Sequence, residues 1–117
     1  VVVTEDNPKS KPWRSVVALC AAEVIRGEMF TGAVAVDVTF FMQRPKGHYG
    51  TGRNAGVMKP SAPPYPIVKP DLTKCWRPAE DALKGIAWAD DSQVVIQRIR
   101  KVYGVPGAQI NISEVVE

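Results

Sequence analysis

Cysteine and histidine are scarce in this chain. Only Cys20 and Cys75 occur, and His48 stands alone. Two distant cysteines give neither the close pairs of a zinc site nor a disulfide framework. Both fall in apolar patterns and are expected as buried thiols, so the compartment reads as reducing and cytoplasmic. His48 lies in a polar, glycine-containing loop and takes no role. No apolar run reaches the ~20 residues that a membrane span needs, and no signal-peptide pattern is present, which excludes a membrane partner. An initiator methionine is also lacking. The opening Val1-Val2-Val3 reads as a chain without its extreme N-terminus.

What is present suits one domain of 117 residues. Hydrophobic residues make up 45% of it, enough for a core. A domain this small buries surface with modest efficiency, so dimerisation would help it. The formal net charge of +3 favours a polyanionic partner without proving one.

Hydrophobic rhythm divides the chain. Val1 to Thr4 reads as a strand, and Glu5 to Lys11 as a polar turn. Pro12 opens a helix with Trp13, Val16, Val17, Cys20 and Val24 at three- and four-residue spacing, ending near Gly27. From Gly32 to Arg44, Val34, Val36, Val38, Phe40 and Met42 alternate with smaller or polar residues, the pattern of a strand with one buried face. Pro45 to Pro70 breaks every pattern. Its lysines and arginine (Lys46, Arg53, Lys59, Lys69) make it either a solvated loop or a basic flap for a phosphate backbone. A second helix covers Asp71 to Gly85, a strand Gln93 to Tyr103, and a last strand Gln109 to Val116. The turn chemistry of Val105-Pro106-Gly107 joins those two strands into an expected hairpin.

The second helix sorts into two faces. Leu72, Cys75, Trp76, Ala79, Ala82, Leu83 and Ile86 share one, while Asp71, Lys74, Arg77 and Asp81 form a charged ridge on the other. That ridge suits a solvated surface with an Arg77–Asp81 pair as well as it suits a site, and Asp71 suits an N-cap. Pro78 should kink the helix. The turn Ala89-Asp90-Asp91-Ser92 places two carboxylates side by side. A divalent cation would offset their repulsion, and an ordinary aspartate turn is the alternative. The metal reading requires Asp71 and the Asp90-Asp91 pair to meet in space.

Lys69-Pro70-Asp71-Leu72, Glu80-Asp81-Ala82-Leu83, Gly85-Ile86-Ala87-Trp88 and Asp90-Asp91-Ser92-Gln93-Val94-Val95 together resemble the RusA-like crossover junction endodeoxyribonucleases of phages and prophages. The match is strongest over 69–102. The resemblance implies an α+β fold with a mixed sheet packed against two main helices, and a homodimer. It implies magnesium-dependent paired nicking of four-way junction DNA in recombination and repair, with manganese able to substitute. The family's essential carboxylates match Asp71 and Asp91, with Asp90 beside the latter, and its essential helix lysine matches Arg77. One departure stands out: Thr73 replaces an aspartate of the family's Asp-Leu-Asp-Asn opening. Either fewer carboxylates bind metal, or Asp81 or Glu80 takes part, with Asp81 favoured because it shares the ridge of Asp71, or activity is lost.

The expected assignment is therefore Asp71, Asp90, Asp91 and Asp81 for metal, with Arg77 and Lys74 at the phosphate. Lys69, Arg53, Lys59, Arg98, Arg100 and Lys101 are expected along the DNA backbone. The alternatives are a branched-DNA-binding protein without catalysis, a related nuclease with another substrate, and an interaction protein that uses the charged helix face.

Overall fold

The structure is a computed structural model that describes residues 2–5 and 13–116. Its main elements are β1 (Val2–Glu5), α1 (Trp13–Ile25), β2 (Val34–Met42), α2 (Leu72–Leu83), β3 (Val94–Tyr103) and β4 (Gly107–Glu114). The expected turn over 6–11 and the Pro12 helix start lie outside the described residues; Glu5 belongs to β1. The α+β arrangement with a mixed sheet and two main helices is as expected.

The strand order is β1-β4-β2-β3. β2 runs parallel to β3 and antiparallel to β4. The expected β3–β4 hairpin is therefore wrong: β2 lies between these two strands. Alternation reports which face of a strand is buried but not which strand is its neighbour. The three-residue link from Tyr103 to Gly107 steps over the end of β2, where the Gly104 amide donates to the Met42 carbonyl at 2.9 Å. A Cβ on Gly104 would stand 2.9 Å from the Phe41 ring, so the crossing needs glycine.

Val34, Val36, Val38 and Phe40 of β2 point to the same side as Ala108, Ile110 and Ile112 of β4, and all are buried. Both helices cover that side. On α1 the buried ladder is Val17, Ala21 and Ile25, with Val16 beside it, whereas Val24 is exposed and Cys20 only half-buried. The expected apolar stripe was thus off by part of a turn. Fully buried Ala21 leaves room for α2, which packs on α1. Arg26 (φ 53°) and Gly27 (φ 78°) end α1 in left-handed conformations. On α2, Trp76, Ala79, Ala82 and Leu83 are buried as the helix period predicts, and Pro78 lies inside the helix without ending it. Trp88 and Ala87, just beyond α2, are fully buried in the same cluster.

The opposite side of the sheet carries Asp37 and Thr39 of β2, Arg98 and Arg100 of β3, and Gln109, Asn111 and Ser113 of β4. β3 is an edge strand, and Val95 and Ile96 on it are 58% and 49% exposed. The basic stretch 45–70 has local order: two short 3-10 turns at Lys46–His48 and Gly52–Asn54, with bridges between Tyr49 and Met58 and between Gly50 and Ala55.

Candidate active site

The acidic turn is built by the side chains around it. Gln93 accepts from the amides of Ala89 (3.0 Å) and Asp90 (3.1 Å) through Oε1. Its Nε2 donates to the carbonyls of Phe30 (3.0 Å) and Gly32 (3.1 Å). One amide side chain thereby ties the turn to the segment that enters β2. Asp90 caps the short 3-10 turn Asp91–Gln93, accepting from the Ser92 amide at 3.0 Å. Those bonds hold the Asp90 carboxyl below the usual aspartate range. Asp91 Oδ1 accepts from the indole N–H of buried Trp88 at 2.8 Å. The spacing Trp88-x-x-Asp91-x-Gln93 has a mechanical reason: the tryptophan aims the second aspartate and the glutamine fixes the backbone that bears it.

Asp91 does not stand alone. Burial first, and then the Asp91 and Asp81 carboxylates, push the Glu80 carboxyl up from its ordinary value, against the opposing pull of Arg77. The Trp76 indole N–H lies between this carboxylate and Gln97 Oε1, which it meets at 3.1 Å. Glu80, half-buried beside Asp91, is the neighbour that helix geometry set aside in favour of Asp81. Asp81 is on the exposed side of α2. Arg77 is also exposed, and the expected Arg77–Asp81 ion pair is absent; among the described residues the ion pair is Arg100–Asp37 at 3.3 Å.

Asp71 occupies the N-cap position of α2, but its side chain makes no capping hydrogen bond. Its surroundings are basic. Lys74 lies one turn along, and Lys101 donates to the Val68 and Pro70 carbonyls at 2.6 and 3.0 Å. α2 and β3 are antiparallel, because the end of β3 meets Pro70 while Gln97, near its start, meets Trp76, and Glu80 lies within electrostatic reach of Asp91 just before β3. Nine helical residues from Asp71 to Glu80 span about 14 Å. The two carboxylate groups therefore sit at opposite ends of α2, and the meeting expected of Asp71 with Asp90-Asp91 does not occur within one chain. Antiparallel packing, on which that expectation relied, is what separates them. No cluster of three metal-ligating side chains forms among the described residues.

The basic residues do not form a single patch. Arg98 and Arg100 face away from the helices, and Arg100 is engaged by Thr39 Oγ1 at 2.8 Å and by Asp37. Lys101 faces the helix side and is committed to the 63–70 segment. Lys69, Arg53 and Lys59 are exposed. Cys75 is half-buried beside Asp71, and burial pushes its thiol up from 9.0.

Residues 3–113 match the endodeoxyribonuclease RusA family. Among curated proteins, the chain is 30% identical over 116 residues to the uncharacterized protein YqaN of Bacillus subtilis (strain 168), covering 94% of this chain and 78% of that relative. With nearly its whole length matched, this chain belongs to the RusA endodeoxyribonuclease family.

Proposed function

We propose that this protein is a magnesium-dependent endonuclease that resolves four-way DNA junctions by paired nicks, acting as a homodimer. The observation that carries the reading is the Trp88- and Gln93-built turn, which fixes Asp91 within electrostatic reach of Glu80 in a chain of the RusA family. A divalent ion in such a site supplies an activated water and stabilises charge on the phosphate. Asp71, Asp91 and Asp90 are its ligands in this reading, with Glu80 or Asp81 in place of the carboxylate lost at Thr73. Lys74 and Arg77, on the exposed side of α2, meet the phosphate. Manganese substitutes for magnesium.

Self-association resolves the separation of Asp71 from Asp91. β3 presents an open edge with exposed Val95 and Ile96, and an open edge is a template for another strand. Pairing β3 antiparallel with β3 of a second copy keeps all four helices on one side of a continuous sheet. It also reverses the second α2, so the Asp71 end of one copy lies beside the Glu80–Asp91 end of the other. Two equivalent carboxylate sites result, matching a junction with two strands to nick.

The test is a labelled synthetic four-way junction incubated with and without magnesium, beside linear duplex. Paired nicks confined to the junction, dependent on magnesium and lost in Asp91→Asn, are expected. Junction binding without cleavage would favour a binding protein of the same fold instead.

A further inference from the structure

An apolar cavity of about 450 Å³ opens between the end of the sheet, the start of α2 and the 63–70 segment. We propose that it receives a single nucleobase unstacked from the DNA at the branch point, a site that rests on the junction-cleaving reading above.

The size is right for one planar heteroaromatic ring with its sugar, within the range of ~300–1,000 Å³ for small-ligand sites. Its walls are largely apolar, with Phe40, Met42 and Tyr103 from the helix side of the strand ends and Val68 from the segment before α2 among them. Aromatic walls offer stacking to any base. The polar side-chain groups among the wall residues are few: the Gln43 amide, the Tyr103 hydroxyl, the Cys75 thiol, and the ammonium groups of Lys69 and Lys74. An amide can pair with a base edge, and exposed lysines suit the phosphates that stay outside. An apolar slot with cations beside it therefore complements a nucleotide better than it complements an aliphatic ligand.

Two clasps hold the walls in place. Arg44 stacks on the Tyr103 ring at 4.0 Å and donates to the Pro63 carbonyl at 2.7 Å. Lys101 ties the carbonyls of Val68 and Pro70 to β3. The slot is thus formed before any ligand arrives, which lowers the ordering cost of binding. It borders Asp71 through Pro70 and Lys74, so a base held there would place its own phosphate next to that carboxylate. Bases at a branch point are less well stacked than those in duplex, which makes extrusion cheaper there than elsewhere.

The experiment measures affinity by fluorescence anisotropy in EDTA, which prevents cleavage, for four-way junctions carrying one abasic residue at successive positions around the branch point. The unmodified protein should show one position at which base removal weakens binding by about tenfold or more, the range of base–aromatic stacking. Cys75→Phe, which fills the cavity, should show the same loss on the intact junction and no further loss on the abasic one. A flat abasic series overturns the proposal, as does a Cys75→Phe protein that binds the intact junction like the unmodified one. A flat series together with self-association broken by Cys75→Phe would assign the cavity to a side chain of a second copy instead. If the unmodified protein does not prefer the junction to linear duplex, the junction reading itself fails and the base site falls with it.

Discussion

Replacing Gln93 by alanine removes four hydrogen bonds at once: two accepted from Ala89 and Asp90 amides and two donated to the Phe30 and Gly32 carbonyls. A neutral hydrogen bond contributes about 0.5–1.5 kcal/mol net. Three of the four are solvent-exposed, so water takes over part of their role and the lower half of the summed range applies, roughly 2–4 kcal/mol. For a domain of 117 residues each kcal/mol shifts the midpoint by about 4 °C, giving a fall of roughly 8–16 °C in Tm. The assay is thermal unfolding followed by circular dichroism. A second readout is magnesium-dependent junction cleavage at a temperature where the variant stays folded, which should drop because Asp91 loses its fixed backbone. Gln93→Glu keeps the acceptor but sets a carboxylate against two carbonyl oxygens, and should destabilise as well. A Tm within about 2 °C of the parent would refute the view that Gln93 organises the turn.

Lys101→Met should cost about 2 kcal/mol by leaving the Val68 and Pro70 carbonyls without their charged donor, visible as a lower denaturant midpoint and faster proteolysis within 63–70. Glu80→Gln tests a pH effect. The folded-state carboxyl lies above its ordinary 4.5, so the native state binds more protons than the unfolded chain just above that pH, and stability falls as pH rises through the window. The variant should flatten that slope and gain Tm at neutral pH relative to the parent; an unchanged slope would deny that burial, with the Asp91 charge second, raises the Glu80 carboxyl in the folded state. Junction affinity should weaken with salt, and Arg98→Ala should reduce the log–log salt slope by about one if its guanidinium meets a phosphate.

Much of this fold can be read from local rhythm. The alternation from Val34 to Phe40 predicts the buried face of β2 because a strand covered on one side has to alternate. The period of α2 likewise predicts Trp76, Ala79, Ala82 and Leu83 in the core. Strand pairing is another matter. β4 alternates equally well beside β3 or beside β2, and only the packed core selects the second. The acidic turn is legible as a motif, but the role of Gln93 lies in its bonds to the Phe30 and Gly32 carbonyls, some 60 residues away. Glu80 sits between the two faces of α2 on a helical wheel, and nothing local reveals that β3 begins beside it. Lys101 looks like one more cation in a basic strand, yet its direction across the sheet is opposite to that of Arg100. The cavity joins three distant segments, so no window of sequence contains it.

The separation of Asp71 from Asp91 within one chain leads to the most direct measurement. Asp71→Asn and Asp91→Asn proteins are purified separately, mixed under conditions that exchange subunits, and assayed with magnesium on a labelled four-way junction beside the parent protein. A site shared between copies leaves each mixed dimer with one doubly substituted site and one intact site. The account predicts that either variant alone is inactive and that the mixture recovers nicking of a single strand. An inactive mixture, with subunit exchange verified and the parent cleaving normally, would contradict it.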